Sequence, residues 1–204
     1  MSRAGLLATV ALAGCAGSPE PPCQDALVPA YVSGASLLRL ADHGPLPSLL
    51  VVNPASGPGG APDADFRRAI SAARAGGART LGYVPTGWGA RPRAAVDADI
   101  ERFRAWYGVD GIFLDEAAHD EDRLEHYRAL AADARSAGAR VVVLNPGVVP
   151  ARAYFDVADV VVVFEGPYAD YRGWNAPDWL VPARTAHLVY GAPPDEAVAA
   201  REGA

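Results

Sequence analysis

The sequence predicts an α/β fold, a (β/α)8 barrel of the TIM type that lacks its last strand and keeps about seven parallel strands. Three observations point there. Short apolar runs alternate with amphipathic stretches along the chain. Several runs, such as Val141-Val142-Val143-Leu144, are continuous, as in strands covered on both faces. No GxGxxG loop follows the first run, which counts against the competing doubly wound open sheet. At 204 residues the chain is shorter than the roughly 250 typical of a complete barrel.

Taken in order, Met1-Ser2-Arg3 is a short basic start. Residues 4–14 form an apolar run too short to span a bilayer, which takes about 20 residues. Leu12-Ala13-Gly14-Cys15 matches a bacterial lipobox, in which Cys15 is lipidated and becomes the new N-terminus. The alternative is an ordinary secretory signal with a chance cysteine. The expected division is a lipoprotein signal peptide over 1–14, a Pro-rich tether over 15–25 and a barrel domain over 26–204. Cys23 would be the remaining thiol, without a disulfide partner or metal-ligand spacing. The expected location is the cell envelope, outside the membrane and held to it by lipid alone.

Strands are expected at 27–32, 49–53, 80–85, 111–116, 141–145, 160–165 and 186–190. Between them Phe66, Ile70 and Ala73 form a helical stripe, as do Val96, Ile100, Phe103 and Tyr107, and then Leu124, Tyr127 and Ala131. Pro92 opens the second of these helices, and Gly76-Gly77 and Gly138 stop their neighbours. Residues 194–204 read as a last helix. With seven strands, the first and last would each leave a row of backbone groups unpaired. Either a gap or direct pairing of those two strands is expected, with marginal stability or self-association.

Half of the residues are apolar and 21% are charged, which excludes a disordered chain. A net charge of −6 argues against nucleic acid, whose phosphates need a basic face. All eighteen basic residues are Arg and about one residue in five is Ala, a bias that reads as codon usage.

Functional groups in parallel α/β folds gather at the carboxyl ends of the strands. Here those ends read Asn53-Pro54, Tyr83-Val84-Pro85-Thr86, Asp115-Glu116, Asn145-Pro146-Gly147, Glu165-Gly166 and His187 to Tyr190. Helix N-capping accounts for any one of them, but Glu is a poor cap and closes two strands. Converging carboxylates on a half-buried rim push their pKa values apart. One protonated and one ionised carboxyl across a cleft is what glycoside hydrolysis requires.

The strand-end motifs occur together and in order: Asn53-Pro54, Tyr83-Val84-Pro85-Thr86-Gly87-Trp88-Gly89-Ala90-Arg91, Gly108-Val109-Asp110-Gly111-Ile112-Phe113-Leu114-Asp115-Glu116, Asn145-Pro146-Gly147 and Phe164-Glu165-Gly166. In this combination the chain resembles the spherulin-4 family from about residue 28 to about 191. The resemblance implies a TIM barrel. From relatives in glycoside hydrolase family 135, it also implies endo-cleavage of α-1,4-linked galactosamine or N-acetylgalactosamine polymers. It assigns catalytic positions to Asp115, Glu116 and Glu165. Relatives continue through one more strand, and this sequence does not.

Adjacent strand residues face opposite ways, so Gly111, Phe113 and Asp115 share a face that Glu116 does not. Asp115 is therefore read as the ionised partner and Glu165 as general acid/base. Glu116 either orients Asp115, binds sugar, or pairs with an Arg of the next helix. Asn53 and Asn145 are either sugar-binding amides or turn residues. Tyr83 and Trp88 can stack on a sugar ring, with core packing the alternative for Tyr83. Tyr31 and Tyr190 carry the same ambiguity. Arg91 either clamps a ligand or pairs with a nearby Asp. Tyr168, Tyr171, Trp174 and Trp179 crowd one loop and read as a carbohydrate surface. His43, His119 and His126 read as solvated, and His187 as a satisfied core histidine.

No metal or cofactor is expected, since no HExxH-type spacing occurs. A metal-dependent phosphodiesterase would need His and Asp ligands that are not found. Two functions follow: a tethered hydrolase of an extracellular amino-sugar polymer, or a non-catalytic polysaccharide-binding lipoprotein of the same fold.

Overall fold

The computed structural model describes residues 10–13, 24–193 and 196. Cys15, Cys23 and most of the expected last helix lie outside the described residues. Seven parallel strands follow in sequence order: β2 (Gln24–Ala30), β3 (Leu49–Val52), β4 (Arg79–Pro85), β5 (Gly111–Asp115), β6 (Val141–Leu144), β7 (Val160–Pro167) and β8 (Thr185–Tyr190). They curl into a nearly closed barrel. Helices α1 (Gly34–His43), α2 (Ala64–Ala75), α3 (Arg93–Arg102) and α4 (Leu124–Ser136) pack outside, and α5 (Tyr168–Tyr171) is a single turn. Each expected strand is present within three residues at either end.

The pleat sorts side chains into two cores. Leu27, Leu49, Leu81, Phe113, Val143, Val162 and Leu188, one from each parallel strand, fill the barrel interior. Leu50, Ile112, Val142, Val161 and Val163 point the other way, onto Phe66, Ile70, Ile100 and Tyr127. Burying each such side chain contributes about 1.5–3 kcal/mol, so the sheet is stabilised on both faces.

The amino-terminal face is stitched by carboxylates. Asp110, just before β5, accepts from the Thr80 N–H at 3.0 Å, the Thr80 hydroxyl at 3.1 Å and Arg74 at 3.1 Å. Asp159, before β7, accepts from the Val142 N–H at 2.8 Å. Each tie spans neighbouring strands at the end away from the rim.

The expectation of a bare edge is overturned at β2. Strand β1 (Val10–Ala13), from within the residues assigned to the leader, pairs antiparallel with β2 in the register Val10↔Leu27 to Ala13↔Gln24. It also lies close to β8, without a ladder. An unpaired row of N–H and C=O groups is a template for any extended segment within reach. Here a nearby run of this chain takes it. Strand β2 itself starts at Gln24, inside the stretch read as tether.

The aromatic loop after β7 also departs from expectation. Tyr171 stacks on Trp174 with ring centroids 6.2 Å apart, and both pack on Phe164 and His187. Trp179 meets Phe155 edge-on. These rings cover the barrel wall instead of forming an open sugar surface. His187 is satisfied by the Tyr171 hydroxyl at 2.7 Å. Burial lowers its pKa to about 4, so it stays neutral in the folded protein near neutral pH. His126, read as solvated, is half-buried edge-on against Tyr127, and its Nε2 has no partner among the described residues.

Candidate active site

Asp115 ends β5 on the same face as Phe113, so its side chain continues the interior row to the rim. Glu165 needs a different device. Val160 and Val162 face the barrel axis, and strict alternation would turn Phe164 inward and Glu165 outward. A β-bulge between Val162 and Phe164 reverses the phase. Glu165 now pairs with Leu188, which faces the interior, while Phe164 goes to the aromatic wall. Bulges beside functional sites re-aim side chains in this way.

The two carboxylates meet at one amide. Asn145 Nδ2 donates to Asp115 Oδ1 at 2.6 Å and to Glu165 Oε2 at 2.7 Å. The Tyr83 phenol lies within reach of the Asp115 charge. Tyr31 stands edge-on to Tyr83 with ring centroids 5.4 Å apart, half-exposed at the mouth. Desolvation, reinforced by Asp115, raises the pKa of both phenols, so they are donors and not bases.

Glu165 lies at the open rim, yet the protein crowding its carboxyl raises its pKa. Desolvation is the main cause, and the charge of Asp115 adds to it. The Asn145 hydrogen bond opposes both, because it favours the ionised form.

Glu116 sits apart from this pair. Its backbone is left-handed (φ +52), which ends the strand and turns its carboxylate toward the loop after β4. There Oε2 accepts from the Gly87 N–H at 3.2 Å, and its carbonyl accepts from the Trp88 N–H at 2.6 Å. Gly87, Trp88 and Gly89 are all left-handed, a conformation that costs a bulky residue such as Trp88 about 1–3 kcal/mol. The result is an indole 62% exposed on the loop tied to Glu116. Thr86 locks the junction: its N–H donates to the Asp115 carbonyl, and its hydroxyl lies 2.7 Å from the Glu116 carbonyl and 2.8 Å from the Tyr127 hydroxyl.

The remaining candidates separate clearly. Arg91 pairs with Asp99 and donates to the carbonyls of Pro85 and Ala95, so it braces the loop instead of reaching for a ligand. Asn53 accepts from the Gly57 N–H at 2.9 Å and is a turn residue. Asn145 is 3% exposed and is neither a free sugar-binding amide nor a mere turn residue. Tyr83 is buried against Phe113 and lies near enough to Asp115 for that charge to act on its phenol. Tyr190, 39% exposed, ends β8, and Tyr168, half-buried, begins α5 just after β7. Thr86 and Tyr127 were missed by sequence reasoning. Thr86 stands at a strand end, but nothing in the sequence ties it to Tyr127.

A packed parallel barrel with two carboxylates bridged by one amide at its carboxyl-terminal rim defines an α/β barrel with an acidic site where such folds gather their functional groups. The chain belongs to the spherulation-specific family 4, whose sequence profile matches residues 27–202. It is 33% identical over 167 residues to Spherulin-4 of Physarum polycephalum, an alignment covering 78% of this chain. The chain spans half the length of that curated relative. Among solved structures it is similar to Aspergillus clavatus Sph3, crystallised in complex with GalNAc. That match has 35% identity and a TM-score of 0.58, and covers 61% of this chain and 56% of the other.

Proposed function

We propose that this protein is a glycoside hydrolase acting on an amino-sugar polysaccharide of the α-1,4-linked galactosamine or N-acetylgalactosamine type. The observation that carries the reading is the carboxylate pair bridged by Asn145. Two oxygens at 2.6 and 2.7 Å from one nitrogen stand at most about 5 Å apart, the spacing of a retaining pair. The GalNAc bound by Sph3 supports the sugar class.

In the first step an Asp115 oxygen attacks the anomeric carbon as the glycosidic C–O bond breaks. Glu165 in its acid form gives its proton to the departing oxygen. Asn145 occupies Oε2, leaving Oε1 to carry that proton. In the second step Glu165 takes a proton from water, whose oxygen displaces Asp115 from the anomeric carbon. Trp88 and Tyr31 offer apolar faces to the sugar rings, and Glu116 holds the Trp88 loop in place.

Purified protein incubated with partly acetylated α-1,4-galactosaminan is expected to release new reducing ends of retained α configuration. Binding without release would favour the polysaccharide-binding reading. Absence of both binding and release would overturn the carbohydrate assignment.

We further propose that the lipobox places the protein on the outer face of a membrane, anchored through Cys15. Processing there would remove β1 from the edge of β2, and self-association is proposed for that form. The Cys15→Ser variant is expected to leave the membrane pellet for the soluble fraction. Unchanged sedimentation with membranes would exclude the anchor.

A further inference from the structure

We propose that Asn145 is a positioning residue that holds both carboxylates and serves the negative charge as it moves from Asp115 to Glu165. The inference rests on the hydrolase reading but is drawn from a complete account of one side chain. Every polar group of Asn145 is used. Its N–H donates to the Leu114 carbonyl at 2.9 Å, and its carbonyl accepts from Ala117 at 2.9 Å. Its Oδ1 accepts from the Gly147 N–H at 3.0 Å, which fixes the orientation of the amide and forces Nδ2 toward the acids. Both hydrogens of Nδ2 are then spent, one on each carboxylate. No donor remains for sugar.

The turn that presents this amide also holds Glu165. The Gly147 carbonyl accepts from the Glu165 N–H at 2.9 Å. Gly147 has φ +70, and a Cβ there would lie 3.4 Å from Glu165 Cβ. The motif Asn145-Pro146-Gly147 is thus a bracket between the ends of β5, β6 and β7.

Chemistry gives the bracket a second task. During the first step Asp115 begins charged and ends as a neutral ester, while Glu165 begins neutral and ends charged. A hydrogen bond to an ionised carboxylate is roughly twice as strong as one to a neutral group. The Asn145–Asp115 bond therefore weakens as the Asn145–Glu165 bond strengthens. A donor already in place at the developing charge stabilises the transition state over the bound substrate.

The test compares Asn145→Ala and Asn145→Asp with the wild type. Asn145→Asp keeps the acceptor for Gly147 and removes the shared donor, so the turn survives if Asn145→Ala fails to fold. Carbon-detected NMR titration of the Glu165 carboxyl needs no substrate. In the wild type the titratable groups facing that carboxyl are Asp115, Tyr31 and Tyr83, which both variants keep, and Asn145→Asp adds a carboxylate to them. In Asn145→Ala Glu165 is expected to titrate at higher pH, because a bond to its charged form is gone, and in Asn145→Asp higher still, because a carboxylate replaces the donor. With active wild type, kcat is expected to fall about 10²-fold with KM nearly unchanged. The alkaline limb of the rate profile should move up with the titration.

A folded variant with unchanged Glu165 titration, or one that loses KM and keeps kcat, would overturn the positioning role. An inactive wild type would remove the hydrolase reading, while the titration would still decide whether Asn145 controls Glu165.

Discussion

Glu165→Gln is expected to lower kcat on α-1,4-galactosaminan by 10²–10⁴-fold, roughly the span of general acid–base contributions, with little change in KM. The amide keeps the shape and the hydrogen-bonding capacity toward Asn145 but cannot surrender a proton. Asp115→Asn should be as severe, because a carboxamide is a poor nucleophile at the anomeric carbon. The pH dependence carries a sign. Desolvation and the Asp115 charge raise the pKa of Glu165, so the acid form persists above the usual carboxylate range. Activity is therefore lost as pH rises through that titration, at higher pH than an ordinary carboxyl would allow. Rate profiles of wild type and Glu165→Gln, measured on the same polymer, check both points. Full activity in either variant would remove these two residues from the chemistry.

The largest loss of stability is expected at the opposite end of the barrel. Asp110→Ala should cost about 3 kcal/mol of a total that is about 5–15 for a domain. The substitution strands the buried Thr80 N–H and hydroxyl, and it frees Arg74. Arg74 is 42% exposed and regains water, which keeps the cost below that of a fully buried pair. Urea unfolding of wild type, Asp110→Ala and Glu165→Gln separates the two ends of the molecule. The first variant should lose stability and the second should not. A shift below about 1 kcal/mol for Asp110→Ala would show that water replaces the carboxylate at little cost.

The contrast follows from how parallel strands are connected. Loops at the carboxyl ends are free to carry Asn145, Glu165 and Trp88, whereas groups at the amino ends close the ladder. That division was legible early, because apolar runs ending in Asp, Glu and Asn have no reason to do so for packing alone. The strands were legible because seven runs of β-branched and aliphatic residues stand at barrel spacing. The antiparallel β1 was not legible, since residues 10–13 carry the same apolar signature as a secretory leader. Nothing local distinguishes a segment that leaves from one that fills an edge.

By itself, the sequence determined the barrel, the inward face of Asp115 and the gathering of carboxylates at one rim. These follow from local periodicity: a pleat of period two aims Asp115 with Phe113, and apolar runs bury the strands they form. Only the tertiary structure decided how the rim groups meet. Glu165 faces the cleft because a bulge inserts one residue into β7, and periodicity cannot show which strand will bulge. Glu116 turns away because Thr86, from another strand, holds its carbonyl in a left-handed bend. Arg91 is spent on Asp99, and Asn145 is spent on two acids, contacts between residues 8 to 30 positions apart. A hydrogen-bonding side chain has several acceptors open to it in the unfolded chain. Packing selects among them, because in a buried site each donor left without a partner costs free energy.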